Sequence, residues 1–221
     1  MTQHQQISEL LSYDFKCKSF LERSRADGFT CPKQSQCKVD QKNEPIWSPG
    51  IGDEGTSVMI VAEAPSKKAG LGPHISGLME TFSHEEAVNG LLRFVKKHFN
   101  TVPYFTDLMK CGVAEQTKQA KLVFRDRTSN CVEHFLLKEI EIIKPLVILC
   151  IGASSFYALK QCKETGKIDE NIKIVKLIHY GQQANLPLTK EDKENIIWPL
   201  QLGKISPEKI VELDFIKRNA S

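Results

Sequence analysis

The sequence predicts an α/β protein with a parallel sheet covered by helices on both faces, and two observations predict it. Short, continuous apolar runs such as residues 57–62 (SVMIVA) and 146–151 (LVILCI) suit strands buried on both sides, because a strand with one wet face would alternate. Segments with a helical period separate such runs, and a strand–helix–strand order closes a parallel sheet.

The elements follow in order. A chain of 221 residues suits one domain over 1–221, with a loop-rich segment at 1–56 and the α/β core at 57–221. The first segment carries a short amphipathic helix near 7–22, and it holds Cys17, Cys31 and Cys37 and turn formers such as Pro45, Pro49, Gly50 and Gly52. A loop-rich stretch of this length needs something besides an apolar core to order it. Strand 57–62 precedes a helix over 76–99, whose apolar positions include Leu78, Phe82, Leu91, Leu92, Phe94 and Val95. Residues 102–106 (VPYFT) form a short strand, and 112–128 a loop carrying Lys118, Lys121, Arg125 and Arg127. An amphipathic helix covers 130–143, with Pro145 marking its end. Strand 146–151, helix 153–163, strand 172–178 and a last helix over 207–218 complete the chain.

The net charge of +3 permits a nucleic-acid partner without demanding one, since local clustering matters more than the total. The basic loop is either a phosphate-contacting patch or a solvated loop. No apolar run is long enough to span a bilayer, and residues 1–9 lack the basic-then-apolar order of a signal peptide. A cytoplasmic monomer without a membrane partner is expected. In a reducing compartment seven cysteines point to metal ligands rather than disulfides. By spacing alone, four thiolates in two separated pairs suit zinc and iron–sulfur equally.

Parallel sheets place their sites in loops at the C-terminal strand ends. Three polar groups arrive there. Glu63 follows the first strand and leads into Ala64, Pro65 and Ser66; Asp107 follows the second; His179 follows the fourth, with Tyr180 and Gly181. Singly, each has a bland role, such as a helix cap, a solvated carboxylate or a structural histidine. Their convergence from separate parts of the chain points to a site.

The stretch VMIVAEAPSKKAGLGPHISG resembles the first motif of the iron–sulfur (family 4-like) branch of the uracil-DNA glycosylase superfamily. YFTDLMKC resembles the second motif, CVEHFLLKEIEIIKPLVILCIG the helix and strand after the last cluster cysteine, and HYG stands where that family has His-Pro-Ser. The matches keep family order from Cys31 to Gly181. The resemblance implies a three-layer α/β/α sandwich with a four-stranded parallel central sheet, DNA as partner, and a DNA glycosylase that hydrolyses the bond between a flipped-out base and its sugar.

It also implies a 4Fe–4S iron–sulfur cluster, zinc being the alternative. Cys111 and Cys131 match the later pair of ligands, Cys131 at the opening of a helix, and Cys37 matches an early one. The usual early pair is spaced Cys-x2-Cys, whereas this chain has Cys31-x5-Cys37; Cys31 is taken as the fourth ligand, with Cys17 the alternative. Cys150, inside an apolar strand, is a packed core residue. By the same resemblance Glu63 stabilises the sugar cation and orients the attacking water, and His179 donates towards the base's O2.

Departures from the family bear on the substrate. Asp107 stands where the family has a uracil-reading asparagine. An ionised aspartate has no donor for uracil O4, but accepts from cytosine N4, and in protonated form can donate to N3. His74 follows Pro73 where a stacking phenylalanine is usual, and Ser66 replaces a glycine. Ala64, Pro65, Ser66, His74 and Asp107 are therefore expected to line the base pocket. Removing plain cytosine would destroy the host's DNA, so a modified cytosine, such as the glucosylated 5-hydroxymethylcytosine of some phage DNA, is the expected target, in antiviral defence. The alternatives are a uracil-DNA glycosylase in base excision repair and an inactive DNA-binding or adaptor protein on the same scaffold.

Overall fold

The computed structural model describes residues 56–64, 86–101, 103–109, 118–179 and 190–203. Four strands, β1 (Val58–Ala62), β2 (Tyr104–Asp107), β3 (Val147–Ile151) and β4 (Lys173–Leu177), form one sheet in the order β2-β1-β3-β4. Every neighbouring pair is parallel. Helix α1 (Glu86–Phe99) connects β1 to β2. Helix α2 (Lys118–Cys131) runs through a π-helical turn (Val132–Leu136) into α3 (Leu137–Ile143) ahead of β3. Helix α4 (Ala153–Glu164) lies between β3 and β4. After β4 come α5 (Lys190–Asp192), a second π-helical turn (Lys193–Ile197) and α6 (Trp198–Gln201).

Strand side chains alternate between faces, and each face builds its own core. Met59, Val61, Tyr104, Ile148 and Cys150 pack with Leu136, Ile140 and Leu159 of α3 and α4 and the turn before them. Val58, Ile60, Ala62, Leu149, Ile151 and Leu177 pack with Leu91 and Phe94 of α1 and with Trp198 and Leu202. This is the expected three-layer sandwich. Burying each large side chain contributes about 1.5–3 kcal/mol relative to leaving it exposed. Cys150 has no exposed surface, and burial pushes its thiol up to about 12, as suits a core residue.

The strands fall within two residues of expectation. The largest difference concerns 118–128, expected as loop and found in α2. Helix formers (Lys, Gln, Ala, Leu, Arg) fill this polar stretch, which lacks a sustained apolar face, so periodicity misses it where propensity does not. Cys131 consequently ends α2 inside a continuous helical run instead of opening a helix. Arg127 is buried at 5% exposure, which removes it from the proposed phosphate-contacting surface, while Arg125 points outward. The helix closing before β3 stops at Ile143, with Lys144 left-handed (φ 51°) and its N–H bonded to Ile140 O. The helix over 190–201 was not expected. Pro199 reads as a breaker, yet it lies near the start of α6, after a turn closed by Trp198 N–H on Lys193 O. Expected helices at 7–22, 76–85 and 207–218 lie outside the described residues.

Candidate active site

The parallel register aligns the C-terminal strand ends. Ala62 pairs with Asp107, Val61 with Cys150 and Ile151 with Leu177. Glu63, Asp107 and His179 therefore share one edge of the sheet.

Glu63 is exposed and sits just beyond β1. Leu108 N–H donates to Ala62 O at 2.8 Å and Met109 N–H to Glu63 O at 3.0 Å, extending the ladder past both strands and fixing the Glu63 backbone. Ser154 Oγ donates to Glu63 Oε2 at 2.7 Å. Ser154 is the second residue of α4, so the carboxylate stands at a helix N-terminus, where unpaired N–H groups favour an anion. Helix α4 has no acidic residue in its own first turn, and its N-cap Gly152 makes no side-chain bond. Gly152 adopts φ +88° at the turn from β3 into α4. A Cβ there would meet nothing within 4 Å, so the backbone conformation rather than crowding selects glycine.

Asp107 ends β2 and is 5% exposed. Its neighbour Thr106 faces the other side of the sheet and donates from Oγ1 to Glu139 Oε2 at 3.0 Å, both residues having no exposed surface. Burial, and then the charge of Glu139, push the Tyr104 phenol well above its ordinary value and keep it protonated. A buried polar layer thus secures the end of β2 against α3.

His179 is half-buried, two residues past β4. The residue before it is clamped at both backbone groups: Ile178 N–H donates to Gln201 Oε1 at 2.9 Å, and Trp198 Nε1–H donates to Ile178 O at 3.1 Å. Trp198 stacks at a tilt on Phe94, with centroids 5.5 Å apart. The Arg93 guanidinium grips Glu194 with two bonds of 2.9 and 2.8 Å, tying the second π-helical turn to α1. Burial holds the His179 imidazole below its ordinary value, the Lys193 charge adds to this, and the Glu63 charge opposes it. Lys193 is itself 5% exposed, and burial lowers its ammonium.

The edge therefore offers an exposed carboxylate that can hold a water, an imidazole biased to neutrality that can donate a hydrogen bond, and a buried carboxylate that can accept one. Ala64 is half-buried beside Glu63. Pro65, Ser66 and His74 lie outside the described residues, as do Cys17, Cys31, Cys37 and Cys111. Cys131 is 6% exposed and forms no disulfide. Among the described residues no group of three or more His, Cys, Asp or Glu could hold a metal ion. Lys118 and Lys121 lie on α2, their side chains outside the described set. Sequence reasoning missed Ser154, Lys193, Trp198 and Gln201. The Gly-Ala-Ser-Ser turn after the third strand could have indicated the first; the others belong to a helix that Pro199 disguised.

Among the described residues no helix is long and apolar enough to cross a membrane. No curated protein matches the chain. The family model of the uracil DNA glycosylase superfamily matches residues 49–200, more than half of the chain and all four strands. With the parallel order β2-β1-β3-β4 and a polar edge built from three strand ends, this chain belongs to the uracil DNA glycosylase superfamily.

Proposed function

We propose that this DNA glycosylase hydrolyses the N-glycosidic bond of a modified cytosine, of the glucosylated 5-hydroxymethylcytosine type found in phage DNA, and leaves an abasic site. The observation that carries this reading is a carboxylate, Asp107, 5% exposed and level with Ala62 at the strand end beside Glu63. A buried group reads a base by the polarity it offers, and a carboxylate accepts from cytosine N4 where it has nothing to donate to uracil O4. The base must leave the stack to arrive there. Bond breaking leaves positive charge on the sugar and negative charge on the base. Glu63 faces the first and orients the water; neutral His179 donates to O2 as the second builds. A host free of such cytosines would use the enzyme against viral DNA.

The test is incubation with matched oligonucleotides bearing uracil, cytosine or glucosylated 5-hydroxymethylcytosine, followed by cleavage at abasic sites. Release of the modified cytosine alone is expected. Release of uracil instead makes the protein a uracil-DNA glycosylase, and binding without release makes it an adaptor.

We further assign a structural 4Fe–4S cluster to Cys31, Cys37, Cys111 and Cys131, with Cys17 in place of Cys31 as the alternative. The buried thiol of Cys131, outside any disulfide, suits a ligand. Hydrolysis moves no electrons, so the cluster would order the N-terminal segment and the chain leading into α2. A brown protein with broad absorbance at about 400 nm is expected, bleached by replacing Cys37, Cys111 or Cys131. A colourless protein with one zinc contradicts the assignment.

A further inference from the structure

We propose, resting on the role given to Glu63 above, that Ser154 is the positioning residue that aims the Glu63 carboxylate at the water. Three features of the edge converge on this. The Ser154 hydroxyl donates to Oε2 at 2.7 Å, and among the described residues no hydrogen bond is made to Oε1. The backbone on which Glu63 rides is locked by Met109 N–H, so the remaining freedom lies in the side chain. Helix α4 supplies no acidic residue of its own to its first turn, and Glu63, arriving from another strand, takes that place.

An exposed glutamate otherwise samples several rotamers. One strong donor on one oxygen selects the rotamer and leaves the second oxygen able to accept from a water. In this role Ser154 acts through Glu63, the residue to which its hydroxyl donates. The same bond also serves α4, because it places an anion at the helix N-terminus. A purely structural role would therefore appear in thermal stability and leave the rate intact.

Ser154→Ala, Ser154→Thr, Glu63→Gln and the Ser154→Ala/Glu63→Gln double variant separate these roles. The readout is single-turnover base release from whichever of the uracil and glucosylated 5-hydroxymethylcytosine duplexes the wild type processes. Ser154→Ala should slow the maximal rate by about tenfold to a hundredfold, the upper figure being the cost of misplacing a reacting group by about 1 Å. The duplex concentration for half-saturation should change less than about twofold, since phosphate contacts carry the affinity. Ser154→Thr, which keeps the hydroxyl, should restore the rate. In the Glu63→Gln background Ser154→Ala should have no further effect, because paired groups are non-additive. If Glu63→Gln is slow while Ser154→Ala matches wild type, the positioning role is overturned and the Glu63 assignment stands. Full activity in Glu63→Gln overturns both. A crystal structure of Ser154→Ala gives a readout independent of activity: the Glu63 carboxylate should leave its wild-type position, and its retention there contradicts the proposal.

Discussion

Glu63 and His179 follow β1 and β4, strands separated by β3 in the same sheet, and the protein treats them differently. Glu63 is exposed, held by one hydroxyl on Oε2 and by one backbone hydrogen bond from Met109 N–H, just past β2. His179 is half-buried, Ile178 before it bonded at both backbone groups by α6 and the imidazole facing the field of a buried lysine. The difference suits the roles proposed for them. In that reading a group that manages water stays exposed. A group that donates to a base oxygen is most useful neutral and fixed, which burial and a neighbouring cation both favour.

The largest effects come from removing either group. Glu63→Gln and His179→Ala should each lower base release at least about 10²-fold, the scale for losing a positioned acid–base or charge-stabilising group. DNA binding should survive in gel-shift titrations. Equal activity of Glu63→Gln and wild type breaks the comparison at its wet end.

A smaller effect sharpens the dry end. Because the folded pKa of His179 lies below 6.5, the folded state binds fewer protons than the unfolded one as pH falls below that value. His179 thus contributes stability above about pH 6.5, lost as pH falls through its folded pKa. Activity that needs the neutral ring should persist below 6.5 and fall on the same acid limb. Lys193→Met removes one of the two depressing causes and leaves burial, so the acid limb should move to higher pH with little change at its plateau. A pH–rate profile identical to wild type removes Lys193 from the site's electrostatics.

The wet and dry ends also differ in how much of them was legible in the sequence. Continuous apolar runs revealed the strands because a doubly buried strand admits no polar alternation, and the topology then placed Glu63, Asp107 and His179 together. The supports of those residues were hidden. Ser154 is one hydroxyl at a helix start, and only the β1–β3 adjacency brings it to Glu63. Trp198 and Gln201 lie about twenty residues beyond Ile178, on a short helix that carries Pro199 in its first turn, where a missing N–H is tolerated. Helix α2 shows the converse case, in which good helix formers without an apolar stripe read as a loop.

The central claim is that Asp107, buried at the end of β2, reads a cytosine edge. The direct measurement compares wild type with Asp107→Asn on matched uracil and glucosylated 5-hydroxymethylcytosine duplexes. An amide supplies the donor to uracil O4 that a carboxylate lacks, and each buried group left unpaired costs about 1–3 kcal/mol, roughly tenfold to a hundredfold in rate. Wild type should prefer the modified cytosine, and Asp107→Asn should shift selectivity by that factor towards uracil, incompletely if His74 fails to replace the stacking ring. A wild type that prefers uracil, with Asp107→Asn behaving the same, would contradict the claim.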